Sequence, residues 1–414
     1  MMPSSRAEQA LLNLLRPGTR AYLSAGSAEP AALARLLSVD PQRLDGVTIS
    51  GSFVPGVNTT DYAALHPGAR METLLMLPTA RESLKAGRID ILPMSYTGYA
   101  AHLQRLPSDL AIVQVSPPDA AGRCHLGPAS DFAPLVWSSA ATRIAFVNPD
   151  LPAAPGSHAL PFAEIDLAIE CDGAAIVLPP ARPSGVLDTI AGHVAALVAD
   201  GDAVQTGLGG APAAALAAMT GHRNLVIHSG MVSDEYRTLA QAGALAPTGH
   251  RTGMALGSAS FYDWLAAADG LEFVPTPLTH GAPAIAALPR FIAINSALEV
   301  DLFGQANLEW RSGELVSGMG GAPDFAGHAR LSNGGRSVIA LPAATRTVSR
   351  IVPRIMAPTV SLPRNTVDIV VTEHGVAHIR DLGMERRAQA LIGIAAPEHR
   401  DALQEAWQGL RDAI

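Results

Sequence analysis

Landmarks in the first part of this chain return 182 residues later in the same order. Pro30, in Ala28-Glu-Pro-Ala-Ala-Leu33, is answered by Pro212 in Gly210-Ala-Pro-Ala-Ala-Ala215. Pro93, closing the aliphatic run Ile89-Asp-Ile-Leu92, is answered by Pro275 closing Leu271–Val274. Asp119-Ala-Ala-Gly122-Arg-Cys-His-Leu126 is answered by Asp301-Leu-Phe-Gly304-Gln-Ala-Asn-Leu308. One coincidence of Gly or Pro means little; several at one offset predict two halves with a shared fold. In each D-x-x-G element the aspartate is expected to cap a tight turn and the glycine to take the positive φ that closes a hairpin between two strands.

Within each half, short aliphatic runs alternate with helix-like patterns. Val47-Thr-Ile49, Ile89–Leu92, Leu110-Ala-Ile-Val113 and Ile144-Ala-Phe-Val147 read as strands, and Thr189–Ala199 as a helix. Continuous apolar runs of this length suit parallel strands covered on both faces. The expected fold class is therefore α/β, with two similar open α/β halves. The sharpest break is Leu178-Pro-Pro-Ala-Arg-Pro-Ser-Gly185, which places the boundary between halves 1–182 and 183–414.

Composition narrows the function. The chain carries 29 Lys+Arg against 37 Asp+Glu, a formal charge of −8, with no basic run. Nucleic-acid binding needs clustered cations to displace phosphate counterions, so no nucleic-acid partner is expected. No apolar run approaches the ~20 residues that span a bilayer, and the opening Met1–Arg6 leads into a helix-like pattern instead of a signal sequence. A cytoplasmic protein without a membrane partner is expected. Cys124 and Cys171 are too few for a disulfide framework or a thiolate zinc site.

Two glycine-rich loops are candidate ligand loops: Gln205-Thr-Gly-Leu-Gly-Gly-Ala-Pro212 and Ser317-Gly-Met-Gly-Gly-Ala-Pro-Asp-Phe325. The first follows a short apolar run and precedes a helical pattern, Ala213–Met219. Its N–H groups would converge at a helix N-terminus able to hold a phosphate or an oxyanion. Pro212 stands where a dinucleotide fingerprint has its third glycine, and no Walker lysine follows. Asn224–Glu235 reads as a buried strand ending in a polar cluster, and Phe291–Asp301 repeats the plan with Asn295 at the end of its apolar run. Asn295 either donates to a substrate carbonyl or satisfies nearby backbone groups. His374 and His378 are four apart, but Gly375 between them and the strand-like Ile369-Val-Val371 before them suggest a strand leaving its sheet; no metal site is expected.

Taken in order, Gln114-Val-Ser-Pro-Pro-Asp119, Gly207-Leu-Gly-x-x-Pro212, Ile227-His-Ser-x-Met231 with Ser233-Asp234, Ile294-Asn-Ser-Ala-Leu-Glu-Val-Asp301, Ser317-Gly-Met-Gly-Gly321 with Asp324-Phe325, Ser349-Arg-Ile-Val-Pro353 and Val371-Thr-Glu-x-Gly-Val-Ala377 resemble the acetyl-CoA hydrolase/4-hydroxybutyrate CoA-transferase branch of the class I coenzyme A transferases. The resemblance runs from about residue 45 to the C-terminus. It implies that coenzyme A or an acyl-CoA is the ligand, that no cofactor is bound covalently, and that the acceptor is a small carboxylic acid or water. A homodimer or higher assembly is implied as well. CoA is expected mainly on the C-terminal half, with Gly207, Gly209, Gly210, Ala211, Gly318, Met319, Gly320, Gly321 and Asp324 as its binding residues and Asn295 beside the reacting group.

In that family a glutamate in His-(Ser/Thr)-Glu-Met attacks the thioester and forms a glutamyl-CoA intermediate. Here the same place reads His228-Ser229-Gly230-Met231. Three readings follow from this difference. The acceptor attacks the thioester directly, by hydrolysis or acyl/CoA transfer; or the acid has moved to Asp234 or Glu235, as base or nucleophile; or the protein is a non-catalytic acyl-CoA binder or regulator. In the N-terminal half, Phe53, Val54 and Pro55 suggest a lining for an apolar acyl group, and Asn58 to Asp61 a contact for a polar end.

Overall fold

The computed structural model describes residues 5–179 and 184–412. The chain forms two compact units: one of residues 1–179 with Arg251–Thr279, the other of residues 180–250 with His280–Ile414. The boundary expected between residues 182 and 183 lies outside the described residues.

In the first unit seven strands form one parallel sheet: β1 (Arg20–Leu23), β2 (Thr48–Gly51), β3 (Arg70–Thr73), β4 (Ile89–Ile91), β5 (Leu110–Val115), β6 (Thr142–Val147) and β7 (Leu167–Glu170), in the order β4-β3-β2-β1-β5-β6-β7. Their side chains alternate between two cores, as a period of two requires. Ala21, Leu23, Ile112, Ile144 and Phe146 point to one core with Leu11 and Leu12 of α1 (Arg6–Leu14) and Leu33 and Leu37 of α2 (Ala31–Val39). Tyr22, Ala111, Val113, Val115 and Ala145 point to the other, with Tyr99, Ala100 and Leu103 of α3 (Tyr96–Arg105). Both faces are covered, which is why these strands read as unbroken apolar runs.

The loop after β2 differs from its expected role. Phe53 and Val54 are buried, Phe53 packs on Tyr62 with ring centroids 5.9 Å apart, and neither lines an open surface. Asn58 is a buried clamp: its Oδ1 accepts from the Gly26 and Val54 amides at 3.0 and 2.7 Å, and its Nδ2 donates to Gly26 O and Glu29 Oε2 at 3.0 and 2.7 Å. Asp61 caps the turn at Tyr62–Ala64.

In the second unit β8 (Ala203–Thr206), β9 (Val226–Val232), β10 (Ile292–Asn295), β11 (Arg336–Ala340), β12 (Ile369–Thr372) and β13 (Gly375–His378) lie in the order β9-β8-β10-β11-β12-β13. All neighbours are parallel except β12 and β13, which form an antiparallel hairpin. The segment around His374 and His378 thus turns back into the sheet instead of leaving it. Gly375, at φ 140°, allows that reversal. Helices α4 (Gly185–Ala195), α5 (Gly210–Ala217), α6 (Asp234–Gln241) and α7 (Ala322–Ala329) precede α8 (Met384–Gly393) and α9 (Arg400–Arg411). Trp407 and Leu403 of α9 pack with Leu391 and Ile392 of α8 in a core shared with Val300, Ile339 and Val370.

The two D-x-x-G turns are the same structure. Asp119 Oδ1 accepts from the amides of Ala121 and Arg123 at 2.8 and 3.0 Å, with Gly122 at φ 72°. Asp301 Oδ1 accepts from Phe303 and Gln305 at 3.1 and 2.9 Å, with Gly304 at φ 83°. The second closes a hairpin between Glu299–Asp301 and Ala306–Asn307; after the first, Arg123–His125 pairs instead with Ala159–Pro161.

Candidate functional site

The C-terminal ends of β9, β8 and β10 lie side by side in the second unit, and each leads towards residues singled out in the sequence. In parallel sheets this edge is where loops and helix N-termini converge on a ligand.

After β8 the chain enters the first glycine loop. Gly207 lies against Asn295: a Cβ there would stand 2.5 Å from Asn295 Oδ1. Gly209, at φ 135°, is the N-cap of α5, so the helix begins at Gly210 and Ala211, earlier than the alanine pattern alone suggests. Asn295, buried at the end of β10, faces Gln205 of β8. Gln205 Nε2 donates to Asn295 Oδ1 at 3.4 Å, and Asn295 Nδ2 donates to Gln205 Oε1 at 3.2 Å. A primary amide carries two N–H donors, so this pairing fixes the Asn295 side chain while using one.

The second glycine loop, with Gly318, Met319 and Gly320, ends at Gly321, the N-cap of α7; Gly320 takes φ 56°. Asp324 lies in the first turn of that helix, buried. Residue 230 sits within β9, preceded by Ser229, whose Oγ donates to Thr206 O of the adjacent strand at 3.1 Å. Four and five residues further on, Asp234 and Glu235 open α6. Asp234 Oδ1 is paired with Arg237 Nη2 at 2.8 Å, and Glu235 Oε2 accepts from the Ser233 hydroxyl.

His280, which no motif singled out, joins β9 to the second loop. A Cβ on Gly230 would stand 2.9 Å from His280 Cε1 and 3.0 Å from its Nε2. A Cβ on Gly321 would stand 2.3 Å from the same Nε2. The imidazole is buried, and its centroid lies 4.2 Å from that of Phe325 in α7. Phe325 in turn lies 6.1 Å from Phe291, and Phe291 meets His228 edge-on at 6.0 Å. The sequence signal for His280 was indirect: two glycines at strand end and loop end leave room for a ring contributed from elsewhere in the chain.

Among the described residues no group of three or more His, Cys, Asp or Glu side chains is arranged to hold a metal ion. None of their helices is long and apolar enough to cross a membrane.

Residues 257–407 match the acetyl-CoA hydrolase/transferase C-terminal domain. The chain is 31% identical over 402 residues to 4-hydroxybutyrate coenzyme A transferase of Clostridium kluyveri, covering 94% of each. It is 33% identical over 400 residues to succinyl-CoA:cyclohexane-1-carboxylate CoA transferase of Geobacter metallireducens, covering 91% of this chain and 89% of the relative. Among solved structures, the 4-hydroxybutyrate CoA-transferase of Porphyromonas gingivalis superposes with a TM-score of 0.80 at 28% identity, over 99% of this chain and 97% of that one. RipA from Yersinia pestis superposes with a TM-score of 0.90 at 25% identity, over 98% and 97%. The α/β fold expected from the aliphatic runs is thus the fold of these proteins, and the chain belongs to the acetyl-CoA hydrolase/4-hydroxybutyrate CoA-transferase family.

Proposed function

We propose that this protein is an acyl-CoA-utilising enzyme whose acceptor attacks the thioester directly, by hydrolysis or acyl/CoA transfer, with no glutamyl-CoA intermediate. The family's nucleophilic glutamate falls at position 230 of His228-Ser-Gly-Met231, and a glycine supplies no carboxylate. The observation that carries the reading is the occupation of that space. His280 lies where a side chain at 230 would begin, 2.9 Å from the Cβ position, so the strand end is built around an imidazole. The other parts of a thioester site are proposed on the two glycine loops and β10. The amides of Gly209, Gly210 and Ala211 and of Gly318 to Gly321 are the proposed donors to phosphate and oxyanion, and Asn295, fixed by Gln205, the proposed side-chain donor beside the carbonyl. Coenzyme A is held without a covalent link, chiefly by the second unit.

Incubation with a panel of acyl-CoA esters, then intact mass with and without borohydride or hydroxylamine, tests this. Release of free CoA with no protein adduct is the expected result. A stoichiometric CoA adduct on Asp234 or Glu235 would replace direct attack by a relocated acid. Thermal stabilisation by CoA esters without turnover would select an acyl-CoA binder instead.

A further inference from the structure

We propose that Arg311 and Arg350 receive a phosphate monoester, the 3′-phosphate of coenzyme A, so that the protein tells CoA from dephospho-CoA. The choice of CoA rests on the reading that the second unit binds an acyl-CoA; the anion site itself rests on side chains of that unit alone. Arg311 ends the first strand of a hairpin, Trp310–Arg311 with Glu314–Leu315, and from there the chain runs into the second glycine loop at Ser317. Arg350 follows another hairpin, Ala344–Thr345 with Val348–Ser349, shortly after the end of β11. Its backbone is held on both sides: the N–H donates to Ala343 O at 2.8 Å, and the carbonyl accepts from the Val300 N–H at 2.8 Å. The side chain is held as well, with Nε donating to Thr345 Oγ1 at 2.6 Å, which leaves the Nη groups for another acceptor.

What these two side chains lack is a counter-charge. Arg350 is half-buried, and burial together with the like charge of Arg311 holds its guanidinium below the ordinary pKa, with no carboxylate offsetting either effect. Among the described residues neither arginine is in an ion pair. Of the acids on the same segments, Glu309 accepts from Ser361 Oγ at 2.6 Å and Glu299 from Asn307 Nδ2 at 2.9 Å, and Glu314 stands across the hairpin from Arg311. Like charges held close and partly desolvated repel each other, and an anionic ligand relieves both costs. Charge balance selects its class. A carboxylate, or one phosphate of a diphosphate, brings a single negative charge. A phosphate monoester brings close to two at neutral pH, with three acceptor oxygens for two planar donor forks. In coenzyme A the group of that kind is the 3′-phosphate.

The test uses the full chain and calorimetric titration with CoA, dephospho-CoA and inorganic phosphate. Wild type is expected to bind CoA about tenfold or more tightly than dephospho-CoA, and the ratio should shrink as added salt screens the charges. Arg311→Gln and Arg350→Gln should each bring the two affinities within about threefold of one another, while dephospho-CoA binds within about twofold of its wild-type affinity. Arg346→Gln removes the same charge from the exposed hairpin between Thr345 and Val348 and should leave the ratio unchanged. An equal loss in all three variants would overturn the site in favour of a diffuse positive field. Equal binding of CoA and dephospho-CoA by wild type would overturn the assignment to CoA. If inorganic phosphate then raised the melting temperature of wild type but not of Arg350→Gln, the site would stand with a separate phosphate compound as its ligand. No effect of phosphate would overturn the site as well. A wild-type protein that binds neither CoA nor dephospho-CoA, yet answers to phosphate, would remove the acyl-CoA reading and keep the anion site.

Discussion

A methyl group added at Gly321 would meet His280 Nε2 at 2.3 Å and Cδ2 at 2.7 Å, so the ring must move to admit it. Gly321→Ala is therefore expected to keep the fold while turnover falls by about tenfold or more, because the displaced ring packs between residue 230 and the second glycine loop, where the thioester is proposed to bind, and small misplacements there are costly. Parallel measurement of kcat, KM and melting temperature checks this; an unchanged kcat would mean the ring position is not used. Position 230 gives a second residue-scale test. Gly230→Glu alone places its Cβ 2.9 to 3.0 Å from the imidazole and is expected not to trap a glutamyl-CoA adduct. The double variant Gly230→Glu with His280→Ala makes room for the carboxylate, and intact mass after acyl-CoA treatment should then show the adduct. Failure of the double variant would count against position 230 as the site of attack. The sequence displays the missing carboxylate, but it does not display what takes its place. Phe325 and Gly321 lie one helical turn apart in the chain, whereas His280 reaches them from about forty residues away, where no periodicity or motif records the contact.

At the scale of elements, one ion-pair cluster around a buried carboxylate ties the opposite ends of the site-bearing strands. Asp202, just before β8, is fully buried and binds Arg290 Nε at 2.6 Å and Arg336 Nη2 at 2.8 Å. Arg290 precedes β10 and Arg336 opens β11, so one carboxylate pins the starts of three strands. Asp202→Ala removes the anion that two partly exposed guanidinium groups share and is expected to cost about 1.5–3 kcal/mol of stability, read from urea unfolding. A loss below about 1 kcal/mol would mean the arginines find water or other partners. β8 and β10 were legible as apolar runs and both D-x-x-G turns from their residues, because each rests on local chemistry, whereas β11 was not singled out. The helix after the first glycine loop was legible with a late start, since Gly209 caps it through its backbone conformation and no side chain marks the place. The loop after β2 misled for a different reason. Phe53, Val54 and Asn58 read in sequence as a lining for a ligand, yet Asn58 satisfies four backbone and side-chain groups at once and holds the segment in the core.

Over the whole molecule, one of the landmarks at 182 residues is a pair of strands with the same bounds at that offset: β4 at Ile89–Ile91 and the strand Leu271–Phe273. The two units differ in their titratable groups, and this bears on how stability responds to pH. Asp131, in the first unit, is buried at φ 30°, and burial pushes its carboxyl up to about 7. Burial also raises Glu29 and Asp301, against hydrogen bonds that lower them. A carboxyl whose pKa is higher in the folded than in the unfolded chain keeps a proton on folding, so the folded state binds more protons than the unfolded one across that interval. Stability is then fullest below the unfolded value near 3.8 and falls as pH rises towards 7. Each such group contributes a slope of at most about 1.4 kcal/mol per pH unit. Asp131→Asn removes one of them, so urea midpoints at pH 5, 6, 7 and 8 should decline less steeply than in wild type, with the variant the more stable of the two at pH 8. Parallel curves would show that Asp131 ionises in the fold as readily as in the unfolded chain, and the decline would then belong to Glu29 and Asp301.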